Sequence, residues 1–596
     1  MSDPYTHPLN GATRPRRLYQ QWRLYDNGFL EVTYPGVVST FDVEARAARL
    51  SVLVDDQLVP RFPHPRIRHS TWVADTRQSR REVWVCGHDK EVGISQDVWP
   101  GTFDIERRPS LQFSDCNDAN FGDAKDGAVQ DEKNLVRWAN DDKEDPLNLS
   151  KGRKWFNAML LAFACFMVSI ASSGFSQGTT QLKLEFNVSD TMALLTTSTF
   201  VLGFAVGALI LSPLSEVYGR RDLYVITFGA FVILSGAVGL SNSMVVVLVL
   251  RFLGGLAGSF TQAVAPAVVA DMFSAQDRGL VLSIFTLAGL MGQNLAPIIC
   301  GFLVKALGWR AITLLITVAS APAWIMLTVT FPETYAPVLL QRRANKLTAE
   351  TGVKHCVAGL TPKPIAQQLR VGALRPWVML MYEPIVTLLS LFLAVVHGTL
   401  FLLFAAYPIV FQQVRGWPQG VASLPFLAIC FGIMIALLYV AFVDQKRYAK
   451  VVEKCKGAAP PEARLPPAML GAIALPVGLF WFAWTNGPEL PYMWSVSAGA
   501  LFGFGMVLVY MSLTNYIVDA YLGYAASALA ASTVLRSIAG AAFPLFTAGM
   551  YKSLGIHWAS SIPAFLTLMF VPCLLAFYIW GAKLRTMTRF AASSQT

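Results

Sequence analysis

Twelve apolar segments, each of roughly 20 residues or more, follow one another between residues 156 and 582. A helix of about 20 apolar residues spans the roughly 30 Å hydrocarbon core of a bilayer. Lipid offers no partner for backbone N–H and C=O groups, so such segments must be helical. Of the 596 residues, 54% are hydrophobic and 14% are charged, which excludes a soluble or disordered chain. The sequence therefore predicts an all-α membrane protein with spans near 156–178, 191–213, 223–241, 244–270, 279–303, 311–331, 385–411, 419–443, 467–485, 491–517, 523–550 and 559–582.

Basic residues mark one side of these spans. An even number of spans places both termini on the same side, and connections rich in Lys and Arg are expected in the cytosol. The 332–384 segment is the richest, and the 444–466 connection contains Lys446 and Arg447. We therefore expect both termini and the 332–384 loop in the cytosol. The net charge of +10 then reflects membrane orientation rather than nucleic-acid binding.

The central loop divides the chain into six spans and six spans. We expect a largely disordered cytosolic tail over 1–135, where only 32–34 and 50–54 resemble short strands. No cleavable signal is expected, because the first strongly apolar segment begins near Trp155. The predicted units after the tail are an N-terminal six-helix bundle with its lead-in over 136–331, a central loop over 332–384, a C-terminal six-helix bundle over 385–582 and a cytosolic tail over 583–596.

A weak internal repeat supports two equivalent halves. Pro297 and Pro544 are 247 residues apart, and so are Gly308 and Gly555. Both pairs occupy matching positions in and just after the fifth and eleventh spans. The spacing favours duplication of a six-span unit.

The turn between the second and third spans holds a dense charge cluster. It reads Leu211-Ser212-Pro213-Leu214-Ser215-Glu216-Val217-Tyr218-Gly219-Arg220-Arg221. Gly219 permits a tight turn, the two arginines stay at the cytosolic face, and Glu216 offers an arginine a partner in low dielectric. This turn resembles motif A of the major facilitator superfamily, with Ser212 and Glu216 replacing the usual Gly and Asp. An ordinary basic loop beside the membrane is the simpler alternative.

Arg251 lies inside the fourth span. Arg251-Phe252-Leu253-Gly254-Gly255 resembles motif B of the same superfamily, R-x-x-x-G. An arginine within a span costs about 2.5–3.5 kcal/mol on insertion scales, so it should face an aqueous cavity or an acceptor. In the family this arginine is linked to proton coupling. Snorkelling of the side chain to the outer interface is the alternative.

The fifth span carries a third motif, from Gly292 to Gly301. It resembles motif C, the stretch that distinguishes exporters from importers in the superfamily. Gly292, Pro297 and Gly301 fit the pattern, whereas Ala296 and Cys300 replace two glycines with other small residues. Pro297 is expected to kink the helix. Close packing of small residues between helices is the simpler interpretation.

Further signatures follow the sixth span and surround the tenth and eleventh. The resemblance covers about residues 136–585 and is to fungal-type drug:proton antiporters with twelve spans. It implies the major facilitator fold, with twelve transmembrane helices in two pseudo-symmetric six-helix bundles. It also implies a cytoplasmic charge relay of Glu216, Arg220 and Asp271 that latches the outward-open form, with Arg221 and Gly219 in the same motif and Arg278 as a further candidate member.

Charged residues are otherwise almost absent from the predicted spans. A central cavity lined by polar and aromatic side chains would suit bulky neutral or weakly polar compounds. His397 would be the deepest histidine; proton exchange is one role, and a neutral imidazole bonded to a neighbouring helix is the favoured alternative. The N-V-S sequence at Asn187, in the first outer loop, is a candidate glycosylation site. The candidate cavity residues are Gln177, Thr180, Gln262, Asn294, His397, Tyr407, Tyr510, Asn515 and Asp519.

The function predicted from these features is proton-coupled efflux of xenobiotics or a secondary metabolite across the plasma membrane by alternating access. A polyamine exporter and a non-transporting membrane sensor are the alternatives, although few intramembrane carboxylates are available for a polycation. No enzyme motif, P-loop or metal-binding cysteine pair is present, so we expect no catalysis, cofactor or metal. The expected partners are a small-molecule substrate, protons and lipid, with the protein acting as a monomer.

Overall fold

The computed structural model describes most of the predicted membrane region. It covers residues 135–138, 142, 144–273, 275–353, 355–357, 365–455, 460–521, 524–586 and 588, and the backbone of short strands between residues 21 and 104. The chain divides into two units, Met1–Asp126 and Gly127–Thr596.

The strands of the first unit pair with their neighbours in the chain. Antiparallel pairing joins Gln21–Leu24, Phe29–Tyr34, Val37–Asp42, Leu50–Val54 and Gln57–Val59 in sequence order. Thr71–Asp75 pairs with Thr102–Asp104 and Glu82–Val83, and Cys86–His88 pairs with Glu91–Gly93. The two strands expected at 32–34 and 50–54 lie within this set. The disorder expected for the rest of residues 1–135 lies outside the described residues and stays a prediction.

The first six spans are long helices that begin and end close to the predicted positions. A short helix, Thr179–Phe186, connects the first two and ends at Asn187, whose backbone is left-handed with φ 52°. The second span begins after Ser189, whose hydroxyl accepts a hydrogen bond from the Met192 N–H. The six helices are Lys151–Gly174, Asp190–Tyr218, Arg220–Gly239, Met244–Met272, Ala275–Leu307 and Arg310–Thr330.

The second half repeats this arrangement with two local irregularities. The seventh span widens into a π-helical turn where Pro408 removes a backbone donor, and the eighth passes through a second such turn into a helix beyond the apolar region. The helices are Pro384–Tyr407 with Pro408–Val414, Gln419–Ala422, Phe426–Tyr439 with Val440–Asp444, Gln445–Lys454, Leu465–Thr485, Tyr492–Ala520 and Ala525–Thr586.

The last helix contains two crossings. In the described residues, eleven helices are long and apolar enough to cross a membrane, and the last extends over 62 residues with a non-helical Gly555 inside it. The Tyr551 hydroxyl lies 2.7 Å from Ser560 Oγ. Nine residues along a straight helix would separate these positions by about 13.5 Å. The chain therefore reverses at Gly555, which gives the predicted twelve spans and confirms the fold class.

Each half has its own apolar core. Aromatic side chains such as Phe228, Phe231 and Phe260 fill the first, and Phe401 and Phe426 lie in the second. The halves meet where the second span packs on the eleventh and the fifth on the eighth. At the first of these contacts, Val201 of the second span joins the core of the second half.

The central loop contains two helices, Ala336–Thr351 and Ile365–Tyr382. The lead-in joins the first of them: Leu135–Val136 pairs in parallel with Cys356–Val357, and Val136 is buried against Ala344. We call the end of the bundle that carries this loop the loop end. The other end is the opposite end.

Candidate functional site

A glutamate after the sixth span organises the turn between the second and third spans. Gly219 has φ 98°, a left-handed conformation that favours glycine. The Glu333 carboxylate accepts hydrogen bonds from the N–H groups of Arg220 at 3.0 Å and Arg221 at 3.3 Å. It thereby caps the third span, where a negative charge is favoured. A Cβ atom at position 219 would collide with this carboxylate.

The predicted charge relay is partly assembled at the loop end. Arg220 Nε lies 2.9 Å from Asp271 Oδ2, with the two side chains 9% and 21% exposed. The two atoms are not aligned as a hydrogen bond, so the contact is an ion pair alone. The Arg220 guanidinium also lies 5.0 Å from the ring of Tyr335. Burial raises the pKa of Tyr335, and the nearby carboxylates of Glu216 and Asp271 act in the same direction.

The other predicted members surround this pair. Arg278 donates to the Ala270 carbonyl at 2.9 Å, beside Asp271, and Arg221 donates to the Thr328 carbonyl at 3.3 Å. Glu216 interacts electrostatically with Arg220 and with Arg375 of the second loop helix.

That loop helix touches both halves. Its Gly372 lies against Pro213 of the second span, and the Arg375 guanidinium lies 5.3 Å from the ring of Tyr524, beside the eleventh span. The charged cluster therefore adjoins a bridge between the two halves at the loop end.

Arg251 is enclosed by the first half. Its side chain is buried, and it donates to the Thr196 carbonyl at 3.0 Å and the Ala171 carbonyl at 2.9 Å. Its guanidinium lies 4.1 Å from the rings of both Phe175 and Phe200. The Arg251 side chain therefore does not snorkel to the interface but occupies an internal site. Among the described residues, its hydrogen-bond acceptors there are backbone carbonyls and not carboxylates.

The motif in the fifth span lies at two helix contacts. A Cβ atom on Gly292 would lie 2.6 Å from the Phe166 carbonyl oxygen of the first span. One on Gly301 would lie 2.8 Å from Ser423 Oγ, in the other half. Pro297 lies between them within the helix. Small residues here let the fifth span approach both neighbours closely.

Polar contacts hold the halves together at the opposite end. The Gln419 amide donates to the Gln177 carbonyl at 2.6 Å, and Ser423 Oγ donates to Gln177 Oε1 at 3.1 Å. Gln177 is buried by these contacts. We call the Gln177, Gln419 and Ser423 contacts the clasp.

Two cavity candidates in the first half make local hydrogen bonds. Gln262 is half-buried and donates to Ser169 Oγ at 3.0 Å, and buried Asn294 donates to its own helix at Leu290. Thr180 is exposed in the short helix at the opposite end. Thr180 thus lies at the rim rather than in a central cavity.

Two cavity candidates in the second half, Tyr407 and Asp519, are corrected by the structure, and a third, Asn515, stays a prediction. Tyr407 is buried in the core among Phe411, Phe426 and Phe482, and Asn515 is exposed. Asp519 lies in the last turn of the tenth span, 2.8 Å from Arg464 Nε at the start of the ninth. This pair is the second-half counterpart of Arg220 with Asp271. Sequence spacing cannot reveal such placements, because they depend on how neighbouring helices rotate.

Arg536 is a charged residue inside the eleventh span that was not predicted as part of the site. Its guanidinium lies 5.0 Å from the ring of Tyr510, and it interacts electrostatically with His397. His397 is half-buried, with its ring 5.0 Å from Phe401. Tyr510 and His397, both predicted to line the cavity, therefore lie near a cation that was not predicted, Arg536.

Loops at the opposite end of the first half form their own cluster. Glu185 lies 2.6 Å from Arg310 and accepts a 2.6 Å hydrogen bond from the Trp309 indole. Partial burial opposes ionisation of Glu185, but these hydrogen bonds and the Arg310 charge outweigh it and lower its pKa. Asn187, the glycosylation candidate, ends the helix that carries Glu185.

Comparison with known proteins agrees with this architecture. Residues 159–544 match the model of the Major Facilitator Superfamily. The chain is 46% identical over 463 residues to the "MFS-type efflux pump MFS2" of Trichophyton rubrum, covering 77% of this chain and 78% of the relative. It is also 46% identical to the "Major facilitator superfamily multidrug transporter mdrA" of Aspergillus fumigatus, covering 79% of this chain and 78% of the relative.

The matches to a third relative and to a solved structure span nearly the whole length of those proteins. The "Ascochitine biosynthesis cluster MFS transporter" of Didymella fabae is 40% identical, covering 84% of this chain and 97% of the relative. The proton:xylose symporter XylE bound to 6-bromo-6-deoxy-D-glucose aligns with a TM-score of 0.54 at 16% identity, covering 72% of this chain and 96% of XylE, which supports the fold alone. The chain belongs to the Major Facilitator Superfamily and is a multi-pass membrane transporter, not an enzyme.

Proposed function

We propose that this protein exports xenobiotics or a secondary metabolite across the plasma membrane in exchange for protons, with both termini in the cytosol. The observation that carries the proposal is the internal site of Arg251. A buried guanidinium is retained at a cost of several kcal/mol on insertion, so it has a role beyond packing. The names of the fungal relatives support export, and the resemblance to motif B supports proton coupling.

The electrostatics of Arg251 give the coupling a physical basis. Its described partners are carbonyl dipoles and ring faces, which stabilise the cation but leave its net charge in place. That charge disfavours a second positive charge nearby. Protonation of a nearby group would therefore be disfavoured for as long as the Arg251 charge stays close to it.

Alternating access also needs contacts that open in turn. We assign the opposite end to the cell exterior, so that the clasp is the external closure and the charge cluster faces the cytosol. The clasp comprises neutral hydrogen bonds, each of which contributes about 1 kcal/mol. Such contacts are weak enough to break in each cycle.

Inverted membrane vesicles with an imposed acid interior test this proposal. We expect the full-length protein to accumulate 2-naphthalenesulfonamide or 2-naphthalenesulfonate above empty-vesicle levels, and a protonophore to abolish the uptake. The same uptake measurement is made with dyes and with metabolites that known fungal pumps export. A pH gradient that drives none of these compounds would refute proton-coupled export.

A further inference from the structure

The eleventh span carries a cation deep inside the bundle. Arg536 is the twelfth residue of the helix that begins at Ala525, which places it about 16 Å along the axis. That depth is near the middle of a bilayer core of roughly 30 Å. An arginine at this depth is costly and marks a functional position unless a partner neutralises it.

Arg536 lies on the inner face of its helix. Ile538 and Phe546 are exposed on a different face of the helix. Gly540, one turn after Arg536, packs against Val201 of the second span and His397 of the seventh. Residues four apart share a helix face, so Arg536 points with Gly540 toward the space between the halves.

The described residues supply no ion-pair or hydrogen-bond partner for the Arg536 guanidinium. Its close neighbour is the ring of Tyr510, which leaves the N–H groups of the guanidinium free to donate. Arg536 itself is half-buried, so water or a solute reaches it. A planar guanidinium with free donors matches the two oxygens of a carboxylate or sulfonate.

Two aromatic residues lie at the same depth as Arg536. Tyr510 lies ten residues before the loop end of its helix at Ala520, and His397 lies thirteen residues into its helix from Pro384. Both are therefore about 15–20 Å from the loop end, the same depth as Arg536. Their rings offer an apolar surface beside the cation.

We propose that Arg536, Tyr510 and His397 form the recognition site for an organic anion, with Arg536 binding its carboxylate or sulfonate and the rings contacting its aromatic part. This inference rests on the proposed export function and names its substrate class. It replaces the neutral substrates expected from the sequence, because that expectation overlooked Arg536.

The test compares two probes of nearly equal shape in the vesicles described above. The probes are 2-naphthalenesulfonate, which stays ionised across the pH range, and neutral 2-naphthalenesulfonamide. We expect the unmodified protein to prefer the anion. Arg536→Gln should lower anion uptake about tenfold, the loss expected for a charge-assisted hydrogen bond, while sulfonamide uptake changes less than twofold.

Two further variants separate recognition from a general defect. Arg536→Lys keeps the charge without the planar fork and should retain part of the anion uptake. Arg342→Gln removes one positive charge from an exposed loop pair and should leave both uptakes unchanged. Equal loss of both probes in Arg536→Gln would overturn the anion site, as would equal uptake of both by the unmodified protein. Failure of the unmodified protein to transport either probe would instead count against export.

Discussion

Glu333 caps the helix that begins at Arg220, although 113 residues separate the two in the chain. The carboxylate connects the end of the sixth span to the start of the third. The same turn places Arg220 against Asp271 of the fourth span. One acidic side chain therefore fixes the geometry on which the loop-end ion pair depends.

Replacing Glu333 with Ala should destabilise the first half by about 2 kcal/mol, because one buried and one partly buried N–H group lose a charged acceptor. The midpoint of thermal unfolding in detergent measures this loss. Glu350→Ala is the matched control, since Glu350 is 58% exposed and makes a long ion pair with Lys346 at 4.0 Å. Equal midpoints for the two variants would show that the cap contributes little.

Arg251→Ala should abolish uphill export while substrate binding persists, because the variant removes the charge on which coupling depends. Arg251→Lys should also impair coupling, since one ammonium group cannot reproduce both carbonyl contacts and both ring contacts. Accumulation in vesicles with and without a pH gradient is the measurement. Normal gradient-dependent accumulation by Arg251→Ala would make Arg251 a structural residue.

Asp271→Asn and Glu216→Gln should shift the conformational balance without removing proton dependence. Loss of the Asp271 charge removes the close ion-pair partner of Arg220 and weakens the latch by about 1 kcal/mol, or about fivefold in the open-to-closed ratio. Thiol labelling at a loop-end cysteine reports that ratio. Asp277→Asn, at an exposed position of the next helix, should label like the unmodified protein. Complete loss of pH dependence in Asp271→Asn would instead make it a proton carrier.

The clasp should control opening of the opposite end. Cysteines at Gln177 and Ser423, bridged by a short reducible thiol reagent, should stop transport, and reduction should restore it. Either cysteine alone, treated in the same way, provides the control. Undiminished transport by the bridged protein would show that the two halves do not separate at this contact.

The Glu185 cluster predicts a pH-dependent stability. Because the pKa of Glu185 is lowered in the folded protein, its contribution is present above the pKa of the unfolded chain and is lost as the pH falls through the folded value. Exposure of the pair limits the effect to roughly 0.5 kcal/mol. Unfolding midpoints of the unmodified protein and Glu185→Gln should differ at pH 7 and converge in strong acid. A difference that persists in acid would assign the stabilisation to packing of Trp309.

The sequence was most informative where lipid restricts the backbone. Length and hydropathy predicted the twelve spans because a bilayer permits few alternatives to an apolar helix of about 20 residues. The Gly219 turn could also be predicted, because a glycine permits the tight backbone turn. Arg251 could be predicted as a functional residue because an arginine inside a span is costly to insert.

Contacts between residues far apart in the chain were harder to predict from the sequence. Tyr407 and Asp519 were expected in the cavity, yet one is buried in a core and the other pairs with Arg464. Glu333 acts through backbone N–H groups of a distant turn, and nothing in its own neighbourhood indicates the partner. Arg536 was visible as a residue, but its helix face and its lack of a described partner emerged only from the packing.

Gly555 joins the last two spans by a single reversed residue. With so short a connection, the first of the two helices should not cross the membrane fully before the second has been synthesised. We therefore expect the last two spans to enter the bilayer together as one hairpin, in a single insertion step.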